Sequence, residues 1–120
     1  MEEEKKFTIG KLISVLAVEK DITGVKIAQR LNINRGTVSR FLSQQNAQGS
    51  TSQNQWIERI DSYMDSINVQ YQFLDAKKKV FEIPSTITTL GQLFRKLGKV
   101  YVKLSDGREF RIIQNEEAGI

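Results

Sequence analysis

The chain contains no cysteine and no histidine. That excludes disulfide cross-links, thiolate nucleophiles, imidazole general bases and nearly every transition-metal site of ordinary ligand set. Carboxylates, lysine, serine and tyrosine alone are left to carry chemistry, so the expectation is a binding protein that is not an enzyme and holds no cofactor or metal. Long apolar runs are missing too. None approaches the ~20 residues needed to cross a bilayer. The opening Met1-Glu-Glu-Glu-Lys-Lys6 has no apolar core of the secretory kind. A cytoplasmic protein with no membrane partner is therefore expected. Acidic residues are absent from Ile22 through Ile57, where Lys26, Arg30, Arg35 and Arg40 are the charged side chains. A polyanion would meet no repulsion along that stretch.

What is present suits a folded protein: 39% hydrophobic and 27% charged residues over 120 positions, room for one ordinary domain or two very small ones. The net charge is only +4, but it is unevenly placed. A second basic zone runs from Lys77 to Arg111, with nine basic residues against three acidic, a balance of 9 − 3 = +6. The acids gather at the two ends and between Glu58 and Asp75. Segregation of this kind accompanies nucleic-acid binding and also plain solvated faces.

Hydrophobic spacing divides the chain. The charged first residues through Lys6 are expected to fray. Ile9, Leu12, Ile13 and Leu16 recur at helical spacing, predicting a helix from Thr8 to Lys20. A second helix, Gly24 to Leu31, takes Thr23 as N-cap and buries Ile27, Ala28 and Leu31. Asn32, of a type that tolerates the left-handed conformation, ends it. A third helix starts on Asn34 as N-cap and runs to Ser43, burying Val38, Phe41 and Leu42. Residues 45–55 are rich in Gln, Ser and Asn and read as a flexible linker, so that 1–44 and 56–120 form two domains. In the second, Trp56, Ile57, Ile60, Tyr63, Met64 and Ile67 mark an amphipathic helix. A hairpin is expected next, from alternation at Val69, Tyr71 and Phe73, a turn at Asp75–Lys78, and a return through Val80–Ile83 ended by Pro84. Leu90, Leu93, Phe94 and Leu97 predict a short helix closed by Gly98. Val100–Leu104 and Glu109–Ile113, joined at Asp106-Gly107, form the clearest hairpin. The expected fold class is α+β: a three-helix unit followed by a helix-hairpin-helix-hairpin (αββαββ) unit.

The segment from Gly24 to Ser43, Gly-Val-Lys-Ile-Ala-Gln-Arg-Leu-Asn-Ile-Asn-Arg-Gly-Thr-Val-Ser-Arg-Phe-Leu-Ser, resembles the helix-turn-helix of bacterial and phage repressors, particularly those like the lac repressor. Ile27, Leu31, Ile33, Val38 and Phe41 stand where that motif needs apolar residues, and Ala28 where only a small side chain fits. Thr37-Val-Ser-Arg40 matches the centre of its recognition helix, while Asn32 replaces the usual turn glycine. The resemblance covers twenty of the 120 residues and implies a helix that enters the major groove of duplex DNA. The residue chemistry agrees. Gly36 and Ser39 are small enough for close approach, and Arg35 and Arg40 reach guanine edges or phosphate. Asn34 caps the helix beside a phosphate, and Thr37 suits a phosphate or a thymine methyl. Thr23, Lys26 and Gln29 face the flanking backbone. In the plainer reading, the same three helices are only a packing unit and these charges are merely solvated.

The second half is less informative. Trp56, Ile60, Tyr63, Met64 and Ile67 are read as core and as a candidate seam for a homodimer, since readers of this kind pair on half-sites about one DNA turn apart. Lys77, Lys78 and Lys79 at the first hairpin's turn are candidate phosphate contacts, as a wing would make, or simply solubilising charge. Asp61 and Asp65, four apart, are read as solvated, and Arg30 as a solvated charge. Tyr71, Phe73 and Tyr101 are read as core, with a stacking platform for single strands as the alternative. Three functions fit: a small transcriptional repressor; an accessory DNA-binding protein of a plasmid, phage or transposon in replication, partition or transfer; or a phage-type inhibitor whose residues 56–120 bind a partner protein while the helix-turn-helix autoregulates. A recombinase is rejected, because the remaining residues are too few and too poor in acids for its catalytic core.

Overall fold

The structure, a computed structural model, describes residues 5–43 and 56–114. The expected linker, 45–55, lies outside them. Among the described residues, five helices and one mixed four-stranded sheet make the fold α+β. Among the described residues no helix is long and apolar enough to cross a membrane.

The first helix, α1 (Ile9–Glu19), begins where the Thr8 hydroxyl accepts the Lys11 N–H at 3.2 Å. It buries Ile9, Leu12, Ile13 and Leu16 completely or nearly so, each worth about 1.5–3 kcal/mol of transfer free energy. Thr23 caps α2 (Gly24–Leu31) in the same way, accepting from Lys26 N–H at 3.2 Å. Asn32 closes α2 in the left-handed region, φ 57° and ψ 48°. The Ile33 N–H then reaches back to the Ala28 carbonyl at 3.0 Å, the long bond that seals a helix over such a residue. Two residues later α3 (Arg35–Ser43) starts. It rests on α1 and α2 through Val38 and Phe41, while Leu42 is half-buried and Ile33 stays 38% exposed.

The next helix, α4 (Ile57–Ser66), packs against α1 and α2, and Phe41 of α3 stacks on its Tyr63 with ring centroids 4.0 Å apart and planes 9° from parallel. One apolar cluster runs from Ile9 through Phe41, Tyr63 and Phe73 to Ile112, so the core is continuous across the stretch expected as a linker.

The sheet departs from expectation at two places. Lys6–Phe7 is a strand, β1, not a frayed end. It lies parallel to the last strand, with Lys6 beside Arg111 and Phe7 beside Ile112. The Arg111 N–H donates to the Lys5 carbonyl at 2.8 Å, and the Ile113 N–H to that of Phe7 at 2.9 Å. The first expected hairpin is also incomplete. Its outgoing strand, β2 (Tyr71–Leu74), starts two residues later than Val69, and Val80–Ile83 is not a strand. The turn itself forms: the Asp75 carboxylate accepts from the N–H groups of Lys77 and Lys79, and Lys78 sits at φ 64°. Pairing then stops after a Leu74–Val80 bridge and one bond from Phe81 N–H to the Phe73 carbonyl. Beyond it Pro84 has no N–H to donate, and the chain crosses to α4, where the Thr88 carbonyl accepts from Ile57 N–H at 2.9 Å.

The fifth helix, α5 (Leu90–Leu97), opens with a capping box between Thr89 and Gln92 and ends at Gly98, φ 76°. The strands β3 (Val100–Leu104) and β4 (Glu109–Ile112) form the expected hairpin, with Gly107 at φ 97° in its turn. The sheet order is β1-β4-β3-β2, so β2 pairs with β3 and its other side is a sheet edge.

Candidate nucleic-acid interface

The α3 helix presents its first turn outward. Asn34 Oδ1 accepts the Gly36 N–H at 2.6 Å, which satisfies one of the amides that a helix start leaves unpaired. Asn34, Arg35, Ser39 and Arg40 are exposed, and Gly36 and Thr37 are half-buried. The absence of a side chain at Gly36 has a local cause. A Cβ there would stand 2.9 Å from Asn34 Oδ1 and 3.3 Å from Arg40 Nη1. The Arg40 guanidinium is thus folded over the first turn of its own helix, where its Nη2 makes a long 3.5 Å contact to Thr37 Oγ1. Asn34, Gly36, Thr37 and Arg40 form one constellation, with the guanidinium fork at its outer edge.

Beside α3 lies a cleft of about 680 Å³ whose lining includes Lys11 of α1, Val25 of α2, and Arg35 and Ser39 of α3. No acid lines it. Lys11 is a basic residue that the sequence reading passed over. It is an exposed position of α1, between buried Ile9, Leu12 and Ile13, and only the crossing of α1 and α3 shows that it shares a cleft with Arg35. Thr23, Lys26 and Gln29 are exposed on α2, and the Thr23 hydroxyl is engaged as the helix cap.

Two other expectations need correction. Arg30 is not simply a solvated charge: its Nη1 donates to the Ser66 carbonyl at 2.6 Å, thirty-six residues away. That bond ties α2 to the last turn of α4, where helical carbonyls lack intrahelical partners. The apolar stripe of α4 is spent inside this chain. Ile60, Tyr63, Met64 and Ile67 are all at most 1% exposed, so these four side chains offer no seam to a second copy. Trp56, 53% exposed, is the one residue of that stripe at the surface.

The lysine-rich turn sits elsewhere. All three lysines are exposed, and Lys78 leans toward the strands, its Nζ 3.8 Å from Glu109 Oε1 and 5.1 Å from the centre of the Tyr101 ring. Phe73 and Tyr101 are buried and Tyr71 meets Phe73 edge-on at 5.2 Å, which leaves no open aromatic platform for bases. Asp61 is held by the Tyr71 hydroxyl, which donates to it. Burial, with the bond and charge of Asp61 added, pushes the Tyr71 phenol well above its ordinary range. Among the described residues no three acidic side chains gather closely enough to hold a metal ion. Comparison with protein-family models, curated proteins and solved structures returns no match for this chain.

Proposed function

We propose that the protein binds duplex DNA sequence-specifically, with α2 and α3 as a helix-turn-helix and α3 entering the major groove, and that it acts without catalysis as a small transcriptional repressor in the cytoplasm. One observation carries the reading. A left-handed residue, Asn32, joins two short helices that pack together and bury Ala28 and Val38 in one core. The outward turn of the second gathers Asn34, Arg35, Gly36, Ser39 and Arg40, and no acid lines the cleft that Arg35 and Ser39 share with Lys11. Small residues let a helix approach base edges, and two arginines supply paired donors for guanine or phosphate. The positive end of the helix dipole favours the same polyanion.

In this reading Arg35 and Arg40 face bases, whereas Thr23, Lys26, Gln29 and the newly placed Lys11 meet phosphate. Lys77 and Lys79 are not needed for it. A single reader of this size gains little affinity, so a homodimer on paired half-sites is part of the proposal, with a seam other than the buried stripe of α4.

Selection of bound duplexes from a random pool tests it. A palindromic or directly repeated site should emerge, with affinity that falls steeply as salt rises. Arg35→Ala should relax preference at one base position, costing about 1–3 kcal/mol there, and Lys26→Ala should weaken all sequences alike. No binding to any duplex at low ionic strength, or identical behaviour of the two variants across the pool, would sink the proposal.

A further inference from the structure

β2 is an edge strand whose outer side is only partly covered. The Ser105 N–H donates to the Gln70 carbonyl, and the antiparallel register sets Tyr71 opposite Leu104. Bonding pairs alternate along such a ladder, so Gln72 and Leu74 bond to β3 while the backbone groups of Tyr71 and Phe73 point away from the sheet. Among the described residues, only the Phe73 carbonyl of these four groups has a backbone partner, Phe81 N–H at 2.9 Å. The N–H and carbonyl of Tyr71 lie on the side of β2 that, with residues of α4 and of the crossing segment 80–88, lines a groove of about 770 Å³.

The groove's chemistry is specific. Its charged lining residues are Glu58, Asp61 and Glu82, with no lysine or arginine, in a chain whose net charge is +4. These carboxylates stand too far apart to hold one metal ion together, which suits separate cations spaced along a ligand. The Tyr71 hydroxyl fixes the Asp61 carboxylate across the gap between strand and helix. Two large apolar side chains of the lining, Trp56 and Val80, are more than half exposed.

We propose that this groove binds an extended segment of a partner protein, with lysine or arginine at alternate positions, as an added strand on β2. Main-chain bonds to the N–H and carbonyl of Tyr71 supply register, because residues 79–81 already lie beside Phe73 and Leu74. Successive side chains of an added strand alternate between faces. Cations on the face toward α4 meet Glu58 and Asp61, and apolar side chains on the other face cover Val80, which shares the outer face with Leu74 through their bridge. Charge decides against two other occupants. A second copy docked by two-fold symmetry would bring its own Glu58, Asp61 and Glu82 against these, and nucleic acid would bring phosphates. The site is independent of the DNA reading, because α3 contributes nothing to it.

The test uses the full chain and three synthetic decapeptides: alternating lysine and valine, the same with alternate backbone nitrogens methylated, and alternating glutamate and valine. The single tryptophan, Trp56, reports binding by its emission, and amide chemical shifts locate it. The lysine peptide should bind saturably and shift the amide of Tyr71. Methylation should weaken it at least tenfold, as should the triple variant Glu58→Gln/Asp61→Asn/Glu82→Gln at unchanged melting temperature. The glutamate peptide should not bind. Failure of the lysine peptide, equal binding of its methylated form, full affinity in the triple variant, or shifts confined to 34–43 would each overturn the proposal. So would a dimer in sedimentation whose formation protects the Tyr71 amide from exchange, which would make the second copy the occupant.

Discussion

Removing one oxygen atom from the core should make this protein more stable. Tyr63 is 1% exposed, and among the described residues its hydroxyl has no hydrogen-bond partner. Its ring does the packing, stacked on Phe41 at 4.0 Å, and burial raises the phenol's pKa, offset in part by the charge of Arg59. Leaving a buried polar group unpaired costs about 1–3 kcal/mol. Tyr63→Phe removes that cost, keeps the ring stack and opens a void smaller than a methyl group. The net expectation is a gain of about 1 kcal/mol, which for a chain of 120 residues raises the melting temperature by about 4 °C. Phe41→Ala is the contrasting perturbation. It deletes a buried ring and its partner's stack, and should cost about 3–5 kcal/mol. Both are read by circular dichroism against temperature and urea, with the urea slope checked for two-state behaviour. A loss of 1 kcal/mol or more in Tyr63→Phe would refute the reasoning, because it would mean that the hydroxyl has a strong partner and that α3 and α4 meet differently.

Other perturbations probe the candidate interface and its supports. Gly36→Ala should leave stability within about 0.5 kcal/mol, since an alanine in a helix gains about 0.5–1 kcal/mol over glycine while displacement of the Asn34 cap loses about 1 kcal/mol. It should nevertheless change the selected DNA site, because the new methyl pushes on the Arg40 guanidinium; an unchanged site would show that Arg40 reads nothing. Arg30→Met should lower unfolding free energy by about 1 kcal/mol, the low side for a charged donor on a carbonyl because the arginine is exposed, as measured in urea. The Arg108 guanidinium donates to Glu19 at 2.9 Å and holds that carboxyl below its ordinary range. A carboxylate depressed in this way adds stability above its unfolded pKa and loses it as the pH falls through the folded value, so the pair's contribution should be full at neutral pH and fade below about pH 4. Carbon-detected titration of Glu19 should show its midpoint rising in Arg108→Ala; an unmoved midpoint would mean that the ion pair is not populated in solution.

Local signals in the chain were legible where one residue type has one backbone use. Thr23 caps its helix, Asn32 takes the left-handed turn, and Gly98 and Gly107 take positive φ. The exposed face of α3 was legible for the same reason, since helical period separates Arg35, Ser39 and Arg40 from Val38 and Phe41. What escaped depends on contacts between distant segments. β1 is two residues long, too short for alternation to register, and exists because β4 offers an edge to Lys5–Phe7. Val80–Ile83 has strand-like composition, but it meets the outer side of β2 only at the Leu74–Val80 bridge and the Phe81–Phe73 bond before the chain turns at Pro84 toward α4. Arg30 and Lys11 looked like ordinary surface charge because their neighbours, Ser66 and Arg35, lie on other helices. The stripe of α4 has the same periodicity whether it covers its own core or a partner's, and packing alone decided that.

The Phe41–Tyr63 stack and the Arg30–Ser66 bond also bear on any attempt to transplant α2 and α3 into another scaffold. A twenty-residue graft from 24 to 43 would arrive with a bare phenylalanine and an arginine reaching for a missing carbonyl. The tilt of the second helix would then be set by the host. A faithful transfer has to carry the buried side of α4 along with it.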